Sequence, residues 1–211
     1  MKAHLSCSVV GLAVALMAAP GCSSNASSPG SSPSAAEETA PATAEAKTPA
    51  QDPAAAAEAT KPTLLAVGEK APDFTATSQS GSEVHLAALA GKPVVLYFYP
   101  KDFTSGCTLE AKNFRDDYSD FETAGATIIG VSLDSVESHK KFAKELGVPF
   151  LLVADPKGEI AAKYGVSTEG GYARRVTFVI DGKGVIAKTF PGVTVEGHAE
   201  EVLTAVRGLS S

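Results

Sequence analysis

The stretch that decides the fold is residues 94–109, VVLYFYPKDFTSGCTL. Its first six residues are apolar β-formers without polar alternation, which predicts a strand buried on both faces of a sheet. Pro100 and Gly106 then mark a turn. Beyond the turn, apolar side chains recur at helical spacing: Leu109, Ala111, Phe114, Tyr118 and Phe121. The stretch therefore predicts a strand, a tight loop and a helix with Cys107 in its first turn.

That position favours a reactive thiol. Unpaired N–H groups and the positive end of the helix dipole stabilise a thiolate over a thiol, and the thiolate is the nucleophile. The alternative is a buried inert cysteine that packs as a small apolar residue.

The rest of the chain alternates strands with helices, which predicts an α/β fold with a mixed central sheet flanked by helices. The order resembles that of the thioredoxin fold, with an additional N-terminal hairpin. We expect hairpins at 75–77 with 84–86 and 176–180 with 185–190, strands at 127–133 and 150–153, and helices at 136–146, 159–164 and 196–206.

The N-terminal 22 residues are typical of an export signal, with a short basic start and an apolar run at 5–19 that is too brief to span a bilayer. Residues 19–22, APGC, resemble the lipobox of bacterial lipoproteins, in which the cysteine is acylated. Cys22 is then the expected lipidation site, and the protein is expected on the outer side of a membrane. Cleavage near Ala19, which would release a soluble periplasmic or secreted protein, is the alternative.

Residues 23–62 contain almost only small and polar side chains, which predicts a disordered linker with a reach of about 32 to 38 Å. Residues 63–211 form the single predicted domain. This region carries 19 acidic and 15 basic side chains, and the whole chain has a formal net charge of −6. Nucleic acid is therefore not an expected partner.

The cysteines also point to reactivity. The chain has three, and Cys7 would leave with the signal while Cys22 would carry lipid. Cys107 would then be the only free thiol of the mature chain. An unpaired thiol in an oxidising compartment is better explained by chemistry than by packing.

The spacing Pro100-x-x-x-Thr104-x-x-Cys107 resembles the active-site signature of the peroxiredoxins. Residues 97–104 and 107–111 are similar in particular to the bacterioferritin comigratory, or peroxiredoxin Q, subgroup. Further similarity at 130–134 and 175–181 extends the resemblance over about residues 64 to 208. It implies a thioredoxin-like fold and reduction of hydrogen peroxide or small organic hydroperoxides.

The resemblance also implies roles for particular residues. Cys107 would attack the peroxide, and Arg175 would stabilise the charge that grows on the departing oxygen. Thr104 would offer its hydroxyl to the thiol and the peroxide, while Pro100 would shield the loop. Glu110 would orient the arginine and the threonine, although an acid that stabilises the helix start is nearly as good an explanation. Adjacent to Arg175, Arg174 is expected to be a solvated surface residue.

Position 112 departs from the subgroup, since many relatives carry a second cysteine there and this chain has Lys112. A sulfenic acid on Cys107 must then meet an external thiol, so we expect a one-cysteine cycle with a thioredoxin-like or small-molecule reductant. Arg115 also resembles a subgroup residue, and a charge network is its expected role.

No metal or cofactor is expected, because His85, His139 and His198 lack ligand spacing and are predicted to be surface residues. A disulfide reductase would need a Cys-x-x-Cys pair, and a copper chaperone would need a second cysteine with a histidine. A non-catalytic lipoprotein that acts as a binding or holdase module remains the alternative function. A monomer and a homodimer are both compatible with the sequence.

Overall fold

A computed structural model of the chain describes residues 63–210. The predicted export signal at 1–22, the lipidation site Cys22 and the linker at 23–62 lie outside the described residues. The domain boundary at residue 63 therefore stays a prediction. Within 63–210, no helix combines the length and apolarity needed to cross a bilayer.

The centre of the fold is a mixed five-stranded sheet, as the alternation of strands and helices predicts. Its order is β5-β4-β3-β6-β7, with parallel pairs β3–β4 and β4–β5 and antiparallel pairs β3–β6 and β6–β7. The strands are β3 (Val94–Phe98), β4 (Thr127–Ser132), β5 (Leu151–Ala154), β6 (Val176–Ile180) and β7 (Ile186–Phe190), and the predicted N-terminal hairpin is formed by β1 (Thr75–Thr77) and β2 (Glu83–His85).

The central strand β3 is buried on both faces, which explains its continuous apolar sequence. Val94, Leu96 and Phe98 face the core beneath α4 (Glu159–Lys163) and the N-terminal hairpin. Alternate side chains face a second core beneath the other helices, which are α1 (Ser105–Asp116), α2 (Tyr118–Thr123), α3 (Val136–Leu146) and α5 (His198–Arg207).

One helix prediction is wrong. The apolar spacing from Leu109 to Phe121 predicts a single helix, but the chain breaks at Asp117 into α1 and α2. Phe114 and Phe121 remain fully buried across the break, so the same side chains face the core from two helices. Hydrophobic periodicity records which residues face the core, and it is insensitive to a short interruption of this kind.

The end of α3 is where the sequence predicts it. Gly147 follows the helix in the left-handed region at φ 66°, and its N–H bonds the carbonyl of Ala143. A glycine adopts this conformation without the steric cost of a Cβ.

Candidate active site

Cys107 lies where the sequence predicts it, as the third residue of α1 and therefore in the first helical turn. The helix follows the carboxyl end of β3, an edge at which ligands gather in open α/β sheets. Cys107 is a free thiol and is only 2% exposed. Its burial largely excludes bulk solvent from the sulfur.

Arg175 is the cation that contacts this sulfur. Phe98 pairs with Val176 across the antiparallel strands β3 and β6, so the loop after β3 and the residue before β6 meet at one edge of the sheet. The Nη2 group of Arg175 donates a hydrogen bond to Sγ of Cys107 at 3.2 Å. Arg174 is exposed, as predicted.

Glu110 holds the arginine from the other side. Its Oε2 accepts a hydrogen bond from Nη1 of Arg175, and its carboxyl group is buried one helical turn after Cys107. The alternative was an acid that stabilises the helix start, but the first turn of α1 contains no acidic residue and Glu110 lies beyond it. The second oxygen, Oε1, finds no hydrogen-bond partner among residues 63–210.

The buried charges perturb one another. Burial raises the pKa of Glu110 from 4.5 to about 7, although the positive charge of Arg175 and the hydrogen bond with it act in the opposite direction. Burial alone would lower the pKa of Arg175, but the negative charges of Glu110 and Cys107 outweigh it and raise that pKa. Arg175 therefore stays cationic beside the sulfur.

Thr104 and Pro100 lie close to Cys107 in sequence, but their side chains make fewer contacts at the site than those of Arg175 and Glu110. Thr104 is the N-cap residue of α1 and is exposed, and its hydroxyl donates to the carbonyl of Lys101 at 3.0 Å. Pro100 is half-buried at the end of β3. The predicted contact of the Thr104 hydroxyl with thiol and peroxide stays a prediction.

Lys112 and Arg115 lie farther along α1 and have the surroundings of ordinary helix residues. Lys112 is exposed, in agreement with the sequence prediction. Arg115 bonds Asp116 through two guanidinium nitrogens and donates to the carbonyl of Leu146 at 2.7 Å. These contacts join α1 to the end of α3.

Two of the three histidines are not surface residues, and this prediction is wrong for them. His198 is 2% exposed and His139 is 0% exposed, whereas His85 is exposed beside Asp73. The Nε2 atom of His198 lies 2.8 Å from the hydroxyl of Thr177. Burial, reinforced by the charge of Arg175, lowers the pKa of His198 to about 4, so its ring is neutral.

Comparisons with known proteins show the family of this chain. The sequence profile of the AhpC/TSA family matches residues 67–189. The chain belongs to the AhpC/TSA family. Its relatives in this family include the putative peroxiredoxin bcp of Coxiella burnetii, which is 42% identical over 144 residues that span 65% of this chain and 95% of the relative.

Solved peroxiredoxin structures share the fold. Peroxidoxin BcpB from Mycobacterium tuberculosis superimposes with a TM-score of 0.65 at 34% identity, over 69% of this chain and 98% of that one. The bacterioferritin comigratory protein of Xanthomonas campestris, whose structure concerns alkyl peroxide reduction, gives a TM-score of 0.62 at 34% identity, over 65% of this chain and 92% of that one. This peroxiredoxin is therefore a thiol-dependent peroxidase of thioredoxin-like fold, and family membership favours the enzyme over a non-catalytic binding module.

Proposed function

We propose that Cys107 is the peroxidatic residue and that Arg175, Glu110, Thr104 and Pro100 form its site. The observation that carries the proposal is the 3.2 Å hydrogen bond from Arg175 Nη2 to Sγ, made by a guanidinium whose other side is held by a buried carboxyl group. A fixed cation beside a lone thiol suits attack on an O–O bond, because it is already in place when negative charge leaves with the second oxygen.

The first step consumes the peroxide. The Cys107 thiolate attacks one oxygen of ROOH, the O–O bond breaks, and the other oxygen takes the electron pair and a proton to leave as ROH. The sulfur is oxidised to a sulfenic acid. For hydrogen peroxide the leaving molecule is water, and for an organic hydroperoxide it is an alcohol.

A one-cysteine cycle completes the turnover. Cys107 is the only cysteine within residues 63–210, and exposed Lys112 occupies the position of the second cysteine of many relatives. An external thiol would condense with the sulfenic acid to a mixed disulfide and release water. A second thiol would then reduce that disulfide and restore Cys107. The reductant is expected to be thioredoxin-like or a small thiol.

Rapid mixing of the purified protein with one equivalent of hydrogen peroxide tests the proposal. We expect the chain to gain one oxygen atom within seconds, to be trapped by dimedone, and to show neither change when Cys107 is replaced (Cys107→Ser). Oxidation as slow as that of free cysteine would refute the assignment. A disulfide within the oxidised monomer would refute the one-cysteine cycle alone.

We also propose that the protein is exported and anchored through lipidated Cys22, with residues 23–62 as the tether. The support is the signal-like composition of the first 22 residues and the small and polar linker that follows. Labelled fatty acid should enter the native chain and not the Cys22→Ala variant. An unlabelled native chain in the culture supernatant or periplasm would instead establish the soluble form. A monomer or a homodimer is the proposed state.

A further inference from the structure

A second buried group of charges lies beside the active-site loop. Asp102, between Pro100 and Thr104, is 3% exposed, and its carboxylate lies 2.9 Å from Nδ1 of fully buried His139 on α3. The same carboxylate accepts a hydrogen bond from the hydroxyl of Tyr99 at 2.8 Å and one from the hydroxyl of Ser138 at 2.7 Å. We call these four residues the Asp102 cluster. The proposed catalytic cycle uses none of them.

Both ring nitrogens of His139 have hydrogen-bond partners in or beside the Asp102 cluster. Nε2 of His139 faces the carbonyl of Val153 at 3.2 Å, and a carbonyl only accepts, so this nitrogen carries a proton. Nδ1 faces the carboxylate and the oxygen of Tyr99, whose own proton points to Asp102. Asp102 and His139 therefore form a buried, hydrogen-bonded pair.

The Asp102–His139 pair lies at a loop with a strained backbone. Phe103 adopts φ 62°, a left-handed conformation that non-glycine residues seldom occupy and that persists only when its surroundings hold it. Its neighbour Asp102 is held twice, through its carboxylate by α3 and through its backbone N–H, which donates to Asp134 at 2.9 Å. Thr104 follows as the N-cap of α1. The position of the first turn of α1 thus depends on the residues that hold Asp102.

We propose that Asp102 and His139 are positioning residues for peroxide reduction. The inference rests on the proposed role of Cys107 and deepens it. This hydrogen-bonded pair would fix residues 100–106 so that Thr104 and the first N–H groups of α1 face the oxygen being attacked at Sγ. It touches neither the sulfur nor Arg175, so it acts on peroxide orientation rather than on the thiolate itself. A displacement of about 1 Å in such a loop can cost about 100-fold in rate.

Two variants of His139 form a matched pair that tests this proposal. In His139→Asn the side-chain amide can replace Nδ1 and keep the hydrogen bond to Asp102. In His139→Gln the amide can replace Nε2 and keep only the bond to the Val153 carbonyl. Both variants remove the ring, and they differ in which of its two hydrogen bonds they can keep, the one to Asp102 in the loop or the one to the Val153 carbonyl.

The readout compares two reactions of the same sulfur. Hydrogen peroxide needs the oriented loop, whereas alkylation by iodoacetamide needs only the thiolate. For His139→Gln we expect the rate constant with peroxide to fall at least tenfold while that with iodoacetamide stays within twofold. For His139→Asn we expect the loss with peroxide to be at most threefold. Circular dichroism and thermal unfolding confirm that each variant is folded during the assay.

Ser138→Ala is the second variant, since it removes one donor to Asp102 from a half-buried position and should leave the fold intact even if the histidine variants do not fold. It should slow the peroxide reaction two- to fivefold and leave alkylation unchanged. Equal peroxide rates in all folded variants, or parallel losses in both reactions, would overturn the positioning role. A native protein that reacts with peroxide no faster than free cysteine would refute the proposed function, and this inference with it.

Discussion

The Cys107 cluster, formed by Cys107, Glu110 and Arg175, differs from the Asp102 cluster in how completely its polar atoms are paired. In the Asp102 cluster the carboxylate has three donors and both ring nitrogens of His139 have acceptors. In the Cys107 cluster, Oε1 of Glu110 has no partner among the described residues, and the carboxyl pKa is raised to about 7. The polar atoms of the Asp102 cluster are thus paired, whereas the Cys107 cluster, the candidate active site, retains a buried oxygen without a partner and its energetic cost.

A shared aromatic pair lies between the two clusters. Tyr97 stacks on Tyr99 of the Asp102 cluster with ring centroids 5.4 Å apart. Burial raises the pKa of Tyr97 well above its ordinary value, and the charges of Glu110 and Cys107 raise it further. The two clusters therefore differ in their hydrogen bonds but share this pair of stacked rings, Tyr97 and Tyr99, which we call the shared wall.

The largest expected effect breaks the Cys107 cluster at its cation. Arg175→Gln should lower the rate constant for peroxide about 100- to 1000-fold, because removal of one preorganised donor typically costs about 2.7 to 4 kcal/mol in the transition state. Stopped-flow kinetics measures it, and exposed Arg174→Gln is the matched control with an unchanged rate. Equal rates for the two variants would remove Arg175 from the site.

The next prediction concerns the energetic cost of the Cys107 cluster. Glu110 in the folded protein has a pKa of about 7 against an ordinary 4.5, so the folded state holds this proton more tightly than the unfolded chain does. Stability from this group is therefore full below pH 4.5 and declines as the pH rises through 7, by about 3 kcal/mol in total. Glu110→Gln should remove this dependence.

Urea unfolding of both proteins at pH 4.5 and pH 8 measures the difference. The stability of the native protein relative to Glu110→Gln should fall between these two pH values. Exposed Glu145→Gln is the control, and its stability should follow that of the native protein at both pH values. A rise of the native protein relative to Glu110→Gln would contradict the sign of this prediction.

The smallest expected effect concerns the shared wall. A Cβ added at Gly130 would lie 2.6 Å from the ring of Tyr97, so Gly130→Ala must displace an aromatic ring that is fully buried. Overpacking of this kind costs about 1 to 3 kcal/mol in the free energy of unfolding. Gly125→Ala is a poor control because φ is 71° there, whereas Gly192→Ala meets open space and has an ordinary φ. Equal stability of Gly130→Ala and Gly192→Ala would show that the ring of Tyr97 can shift to make room for the added methyl group.

Local signals were sufficient for the elements around the thiol. The apolar run before Pro100 predicts β3, the periodicity after Gly106 predicts the helix, and these two together place Cys107 in its first turn. The signals are contained within a few neighbouring residues, so no knowledge of the rest of the fold is needed. The sequence did not predict the break at Asp117, because the apolar residues on either side of it keep the same helical spacing.

The histidines show where local signals end. His139 and His198 lie among charged and polar residues along the chain, which favours a surface position. Both are nevertheless buried, because their partners Asp102 and Thr177 are 37 and 21 residues away in sequence. A polar side chain is usually buried only where it has a hydrogen-bond partner. The spacing of residues along the chain does not show which distant residues become partners.

The amino-acid order alone predicted Cys107 as the candidate reactive residue, the strand, loop and helix that carry it, and the lysine at the position where many relatives have a second cysteine. The folded molecule decided that Arg175 contacts both the sulfur and Glu110, and that His139 contacts Asp102 in the loop. The reason is physical. Helix and strand signals act over a few residues, whereas these side-chain contacts arise from the pairing of β3 with β6 and the packing of α3 beside the loop.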